Sequence, residues 1–372
     1  MQGRSRLVGV DAARGVALLG MMAVNVLPAQ DADGSTTFVR GLTSGRSSAT
    51  FAVLAGVGLA LAARRWPARA RLALLLRAVV IGLVGLLLGG LDSGVAVILA
   101  YYAVLFVLVQ PFLAWSVRRL LLLAAALALL APVLSFAVRD LLPDRDVDNP
   151  DLSRLSEPGP LLAELLLTGY YPALAWLAYL LLGLAVGRLA LERPGVALWV
   201  AASGAALVVL STVTSGLLLG PLGGGEQIGA TLGLPAGEDL DRELDQSRFG
   251  NVPTDTAWWL AVDAPHTTTP LDLVATGGAA LVVLGLALLL VRTPVRVLLA
   301  PVAAAGSMPL SLYTAHVLVL ATTDSDDPTR YYLLQVAAAL LLALLWRRRV
   351  GRGPLELLLA LLTGPVAGRA RT

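Results

Sequence analysis

Residues 8–29 read VGVDAARGVALLGMMAVNVLPA, an apolar run that nonetheless carries Asp11, Arg14 and Asn25. A membrane-crossing helix needs about 20 predominantly apolar residues to cover about 30 Å of hydrocarbon, and this run has them. It is too long for a signal peptide, holds an acid and a base, and lacks a small-x-small cleavage site near Pro28. Asp11, Arg14, Leu18 and Asn25 are spaced so that, at about 100° per residue, all four fall within one arc of about 60°. The helix is therefore polar along one face at two depths, with Asn25 about 21 Å beyond Asp11. Ionisable groups inside a span are expensive and turn toward partners or a water-filled cavity, so this face points into a bundle. Two readings of Asp11 and Arg14 stand: an i,i+3 pair that snorkels and anchors the helix, or part of a cavity or ligand site.

The rest of the chain repeats that first run. Of 372 residues, 57% are apolar and 14% charged, with mean hydropathy +0.78. Soluble domains carry about 25% charged residues, so a soluble enzyme is excluded. Ten spans are expected, at 8–29, 48–63, 71–90, 94–115, 118–138, 162–187, 195–219, 271–291, 298–321 and 331–346. They make an all-α polytopic bundle, a single integral membrane domain over residues 1–372. The division tests itself by charge. All 28 basic residues are arginines; 19 lie on one side with only Glu192 and Glu356 as acids, and the other side holds 8 arginines and 22 acids. By the positive-inside rule the arginine-rich side and both termini are cytoplasmic, in a multi-pass protein of the cell (plasma) membrane. The basic charge is not gathered on a polar face, which argues against a nucleic-acid partner. There is no cysteine, so no disulfide staples the outer loops.

Two outer loops, about 139–164 and 220–270, exceed simple connectors, and Trp258 with Trp259 marks a piece that returns to the interface. A cytoplasmic amphipathic segment at 353–362 is too short to cross; it lies on the inner surface or tucks into the bundle. Gly82, Gly85 and Gly89, and likewise Gly183 and Gly187, have the spacing that lets helices approach closely. The acidic stretch 144–149 lacks the glycine and final glutamate of a calcium loop. The glycines at 220–225 lack the ending of a nucleotide loop.

The residues able to carry chemistry are few. Thr43-Ser-Gly-Arg46-Ser47-Ser48 is a turn feeding a helix N-terminus, a candidate anion site with Arg46 and Ser47 beside it, or else simply a capped helix. Both histidines fall on the outer side, and histidine is the side chain best suited to take and return a proton near neutral pH. His266, in Ala264-Pro-His-Thr-Thr-Thr-Pro270, follows Asp263 by three residues, which suits a carboxylate orienting a base. His316 shares a helix face with Tyr313, as a second candidate or a structural histidine. No HExxH, His-x-His or cysteine ligand set exists, so no metal is expected.

Several segments together resemble the transmembrane acyltransferase superfamily, within it the bacterial heparan-alpha-glucosaminide N-acetyltransferase-like and YeiB-like membrane proteins. These are Arg6-Leu-Val-Gly-Val-Asp11-Ala-Ala-Arg14-Gly15, Met21-Met-Ala-Val-Asn25, Gly45 to Gly56, Pro265-His266, Ala305 to Met308, Leu312 to His316 and Gly353-Pro-Leu-Glu356. Residues 115–220 match only in hydropathy. The resemblance implies transfer of an acyl group, acetyl foremost, from cytoplasmic acyl-CoA to an outer small-molecule or glycan acceptor. It also implies a histidine in the loop after the first helix, where this chain has Thr36 and the loop Leu27–Gly45 has no histidine. The chemistry then falls to His266 as base with Asp263 behind it, or to His316. Asn25 and Arg46 polarise the carbonyl or hold the acceptor, Asp11 and Arg14 order the inner entrance, and Arg64, Arg65, Arg69 and Arg71 meet either CoA phosphates or anionic lipid. A homodimer is compatible with this layout. The competing class is a transporter of lipid or small solute with His316 as proton relay, although no inverted repeat and no pair of broken helices is legible.

Overall fold

The computed structural model describes residues 7–31, 34–63, 70–142, 148–234, 240, 243 and 250–364. Arg64, Arg65 and Arg69 lie outside the described residues, as do most of the acidic stretches at 144–149 and 238–245. Among the described residues there is no strand, only an isolated antiparallel bridge between Gln30 and Thr36. The helices are α1 (Val8–Val26), α2 (Phe38–Thr43), α3 (Arg46–Ala63), α4 (Ala70–Gly89), α5 (Leu99–Leu108), α6 (Val117–Val138), α7 (Pro158–Ala163) and α8 (Ala173–Val186). They continue with α9 (Pro194–Leu219), α10 (Gly224–Leu232), α11 (Pro270–Leu290), α12 (Arg296–Ala305), α13 (Pro309–Thr322), α14 (Pro328–Arg349) and α15 (Pro354–Thr363). Among the described residues seven helical stretches are long and apolar enough to cross a membrane, and two bent pairs raise the number to nine. The protein is a multi-pass, all-α membrane protein.

Two expected spans are broken. That at 162–187 divides after a π-helical turn, Glu164–Thr168, and bends by 52° into α8. That at 298–321 divides between α12 and α13 with a bend of 70°. Each second half opens on a proline, Pro172 before α8 and Pro309 at the head of α13. Proline has no N–H to give and its ring clashes with the preceding turn, so a helix restarts there rather than running through. The absence of broken helices expected from the sequence is thus corrected.

A second correction concerns 94–115, expected as a continuous helix. The α-helix covers only Leu99–Leu108, ten residues, with a 3-10 turn at Gln110–Phe112 after it, and the approach from Val95 to Ile98 is irregular. This stretch still lies along α4: a Cβ on Gly85 would overlap Ala100, and Gln110 Nε2 donates to the Arg71 carbonyl at 3.2 Å. Its irregular part is clasped by Asn149, whose Oδ1 accepts from Val97 N and whose Nδ2 donates to Val95 O, both at 2.7 Å. Trp258 and Trp259 fall on a 3-10 turn, Ala257–Ala261, with Trp259 fully buried beside Ile228 of α10.

Small residues bring the helices together. α3 and α8 cross where Gly56 meets Gly183, and α9 and α11 cross where Gly204 meets Gly278. At Gly183 an added Cβ would overlap the Val53 carbonyl oxygen, a backbone atom that cannot swing aside. Gly183→Ala is therefore expected to lower stability by about 1–3 kcal/mol, the ordinary range for overpacking. Gly195→Ala, at a position with open space around it, serves as the neutral comparison. Thermal unfolding of both variants in detergent checks this, and an unchanged Gly183→Ala would refute the close-contact account.

Candidate active site

α1 supplies the first side chains, and both ends of its polar face are engaged. At the arginine-rich end Asp11 is buried, and its Oδ1 accepts from Arg14 Nη1 at 3.1 Å. The same Arg14 nitrogen donates to the Gly306 carbonyl at 3.2 Å, a group freed by the break between α12 and α13. The i,i+3 pair is present, and it also reaches across to a neighbouring broken span. Glu356 of α15 works on the other side of that break. Its carboxylate accepts from Leu310 N at 2.8 Å, Ser311 N at 3.3 Å and Ser311 Oγ at 2.5 Å, capping the exposed amides at the head of α13. The segment 353–362 thus tucks into the bundle.

At the other end of α1, Asn25 Nδ2 lies 3.3 Å from His316 Nε2, and His316 Nδ1 lies 2.7 Å from Gln335 Oε1 of α14. The oxygen of Gln335 can only accept, so Nδ1 carries the proton and Nε2 keeps its lone pair toward Asn25. His316 is buried, Asn25 half-buried. A base with one nitrogen accepting from a side-chain amide and the other donating to an orienting acceptor has the layout of a general base behind a reacting group.

Asn25 opens on a cleft of about 340 Å³, counting its mouth, which also gathers Ser47, Ser48, His266, Tyr171 and Tyr313. Tyr313 Oη accepts from Ile98 N at 3.4 Å. The turn before α3 forms because Gly45, at φ +65°, adopts a left-handed conformation and lets Pro265 pack 3.1 Å from where a Cβ would stand. Its N–H does not wait for an anion; it donates to His266 Nε2 at 3.1 Å. Arg46 turns its guanidinium onto the Gly41 carbonyl. The cleft therefore brings together Asn25, Ser47, His266 and Tyr313, with His316 behind Asn25, while Asp11 and Arg14 stand apart at the other end of α1.

His266 is held in a strained loop. His266 and Thr268 are non-glycine residues at φ +62° and +52°. Asp272, buried in the first turn of α11, accepts from Thr268 N at 2.9 Å and fixes the loop, while Thr269 caps the helix by accepting from Asp272 N at 3.1 Å. Among the described residues no hydrogen bond joins Asp263 to the His266 ring, so the orienting partner expected from the sequence is not Asp263 on His266 but Gln335 on His316. Gln335 and Asp272 escaped the sequence reading. A lone glutamine inside the last span was the signal for the first, and Thr269-Pro-Leu-Asp272, close to a capping box, for the second.

Burial lowers the His266 pKa from its usual 6.5 to about 4, and the nearby Arg40 guanidinium pushes the same way. The folded pKa lies below the unfolded one, so folding excludes a proton between these values. The stabilisation is complete above about pH 6.5 and is lost as pH falls toward 4. Because the ring is partly open to the cleft, the effect is at most about 3 kcal/mol. His266→Asn, which tolerates positive φ, should destabilise at pH 7.5, and the gap from the parent should narrow on titration to pH 4.5. Melting curves across that range test this; a constant gap would show that His266 is not buried as a neutral ring.

Among curated proteins none matches the chain. A family model described as heparan-alpha-glucosaminide N-acetyltransferase, catalytic, matches residues 6–216. The match takes in residues 115–216, whose resemblance in sequence is one of hydropathy, and ends before His266 and His316. It carries α1 with Asp11, Arg14 and Asn25, the turn at Gly45 and the helices as far as α9. More than half of the sequence is included, and the chain belongs to the heparan-alpha-glucosaminide N-acetyltransferase catalytic family.

Proposed function

We propose that the protein is a membrane acyltransferase that takes an acyl group, acetyl foremost, from acyl-CoA on the cytoplasmic side and passes it to a sugar or glycoconjugate outside. The observation that carries this reading is the Asn25–His316–Gln335 line at the rim of the cleft, in a chain of this family. The strong bias of arginine to one side supports cytoplasmic termini and a plasma-membrane location. The donor's phosphates then stay with the arginine-rich side, where Arg14, Arg71 and Arg77 stand and where Arg64 and Arg65 belong by sequence.

His316 is the better base. Its Nε2 faces the cleft through the Asn25 side chain, whereas His266 Nε2 is committed to the backbone N–H of Gly45. As an acceptor hydroxyl or amine binds, it replaces the Asn25 amide at His316 Nε2, and Asn25 is free to donate to the acceptor or to the carbonyl. Gln335 steadies the proton that appears on His316.

Acetyl-CoA at 100 times its Kd should stabilise the purified protein by about 2.7 kcal/mol, read as a rise in Tm. His316→Gln should keep that rise and lose acetyl transfer to glucosamine by at least about 100-fold. Transport is the second reading, favoured by the two bent spans. No rise in Tm at millimolar CoA species would overturn acyl-CoA use and leave transport as the account.

A further inference from the structure

Tyr102 of α5 is 3% exposed, and its hydroxyl has no hydrogen-bond partner among the described residues. Buried hydroxyls are nearly always paired, so an orphan at mid-bundle asks what it is kept for. Its surroundings answer. Its ring stands edge-on to Phe106 and to Phe51, each with centroids 5.9 Å apart. Phe51 lies one turn from Ser47 and Ser48, which line the cleft, and Tyr102 is within electrostatic reach of Tyr171 and Tyr313 of that cleft. The Arg14 charge is also within its electrostatic reach, and Phe106 carries the Arg77 guanidinium 5.9 Å from its ring centroid.

Arg77 identifies the other end of this line. It shares a face of α4 with the buried Ala73 and Ile81, four residues to either side, and points away from the exposed Leu75, Val79 and Leu83. On that inward face the Arg77 guanidinium is turned toward the Phe106 ring rather than toward lipid. A continuous row, Arg77, Phe106, Tyr102 and Phe51, therefore leads from the arginine-rich side to the cleft, with one unpaired hydrogen-bond donor near its far end.

We propose that Tyr102 is a catalytic residue, the hydrogen-bond donor to the thioester carbonyl of the acyl donor, whose arm lies along Phe106 with its phosphates at Arg77 and Arg14. This rests on the acyl-CoA reading above. The acceptor's proton passes to His316 Nε2 as its oxygen or nitrogen attacks the carbonyl carbon. The carbon–oxygen π electrons move onto the carbonyl oxygen, where the Tyr102 hydroxyl meets the developing charge. Collapse re-forms the carbonyl, breaks the carbon–sulfur bond and expels the CoA thiolate, which takes the proton back from His316. Nothing is oxidised or reduced.

The test uses the full chain in detergent and three probes that need no acceptor: CoA, [1-13C]acetyl-CoA and S-ethyl-CoA, a thioether without the carbonyl. The parent should bind acetyl-CoA about tenfold tighter than S-ethyl-CoA, and the labelled carbonyl band should move to lower wavenumber on binding. Tyr102→Phe should bind CoA as the parent does, which also shows that it folds, and should lose both the preference and the band shift. If Tyr102→Phe keeps them with CoA binding intact, the assignment of Tyr102 is wrong and the acyl-CoA reading survives. If the parent binds none of the three probes, the acyl-CoA reading falls, and the role of Tyr102 with it.

Discussion

Glu356 holds the amide groups of Leu310 and Ser311, and Arg14 holds the carbonyl of Gly306, so the two sides of one broken helix are satisfied by charged side chains from two other helices. In hydrocarbon no water is available to do this, and an unsatisfied backbone group costs several kcal/mol. The same constraint is met at other irregular stretches among the described residues. Asn149 clasps Val95 and Val97 ahead of α5, Tyr101 Oη accepts from Tyr170 N at 3.1 Å, and Tyr171 Oη donates to the Ala96 carbonyl at 3.1 Å. One break lies beside the cleft, at Tyr171, and the other beside Arg14, at Gly306. Irregular backbone is tolerated at membrane depth only where protein or a cavity lines it, and both breaks meet that condition.

That constraint also decides which features could be read from the sequence. The spans were legible because hydropathy and the arginine bias are properties of composition along the chain, and α1, α3, α4, α6, α9, α11 and α14 lie within a few residues of where they were expected. The breaks were not legible as apolar content, since Pro172 and Pro309 sit inside runs that remain apolar on both sides. What stabilises a break is distant in sequence: Arg14 reaches Gly306, and Glu356 reaches Leu310. Local spacing holds no trace of such pairs. For the same reason α5, short and preceded by irregular chain, reads from sequence as a full span: its hydropathy is that of one, and only the Asn149 clasp marks the missing turns.

The candidate site divides in the same way. Asn25 was marked by the polar arc of α1, and His266 and His316 by being the two histidines of the chain. Their roles depended on partners that spacing could not supply. Asp263 precedes His266 by three residues, the spacing of an orienting group, but the backbone is left-handed at His266 itself and again at Thr268, and the ring faces Gly45. The orienting acceptor for a histidine comes instead from Gln335, on a different helix from His316. The acid that matters to the His266 loop is Asp272, through the backbone of Thr268.

The proposed reaction places one demand on a bilayer that the layout meets economically. Carrying a whole CoA molecule across would take its phosphates through hydrocarbon, and an ion in that setting is held only at high cost. Arg14 and Asn25 sit on one helix eleven positions apart, about 16 Å of rise. If the phosphates remain with Arg14 and Arg77, only the neutral arm and its acyl group need cover that distance, along a wall of Phe106 and Tyr102 that has no ionised side chain. In the proposed reaction the acceptor would approach from the acidic side and meet His316 through Asn25; neither charged substrate part would then cross the membrane, and the group that crossed would be the one being transferred.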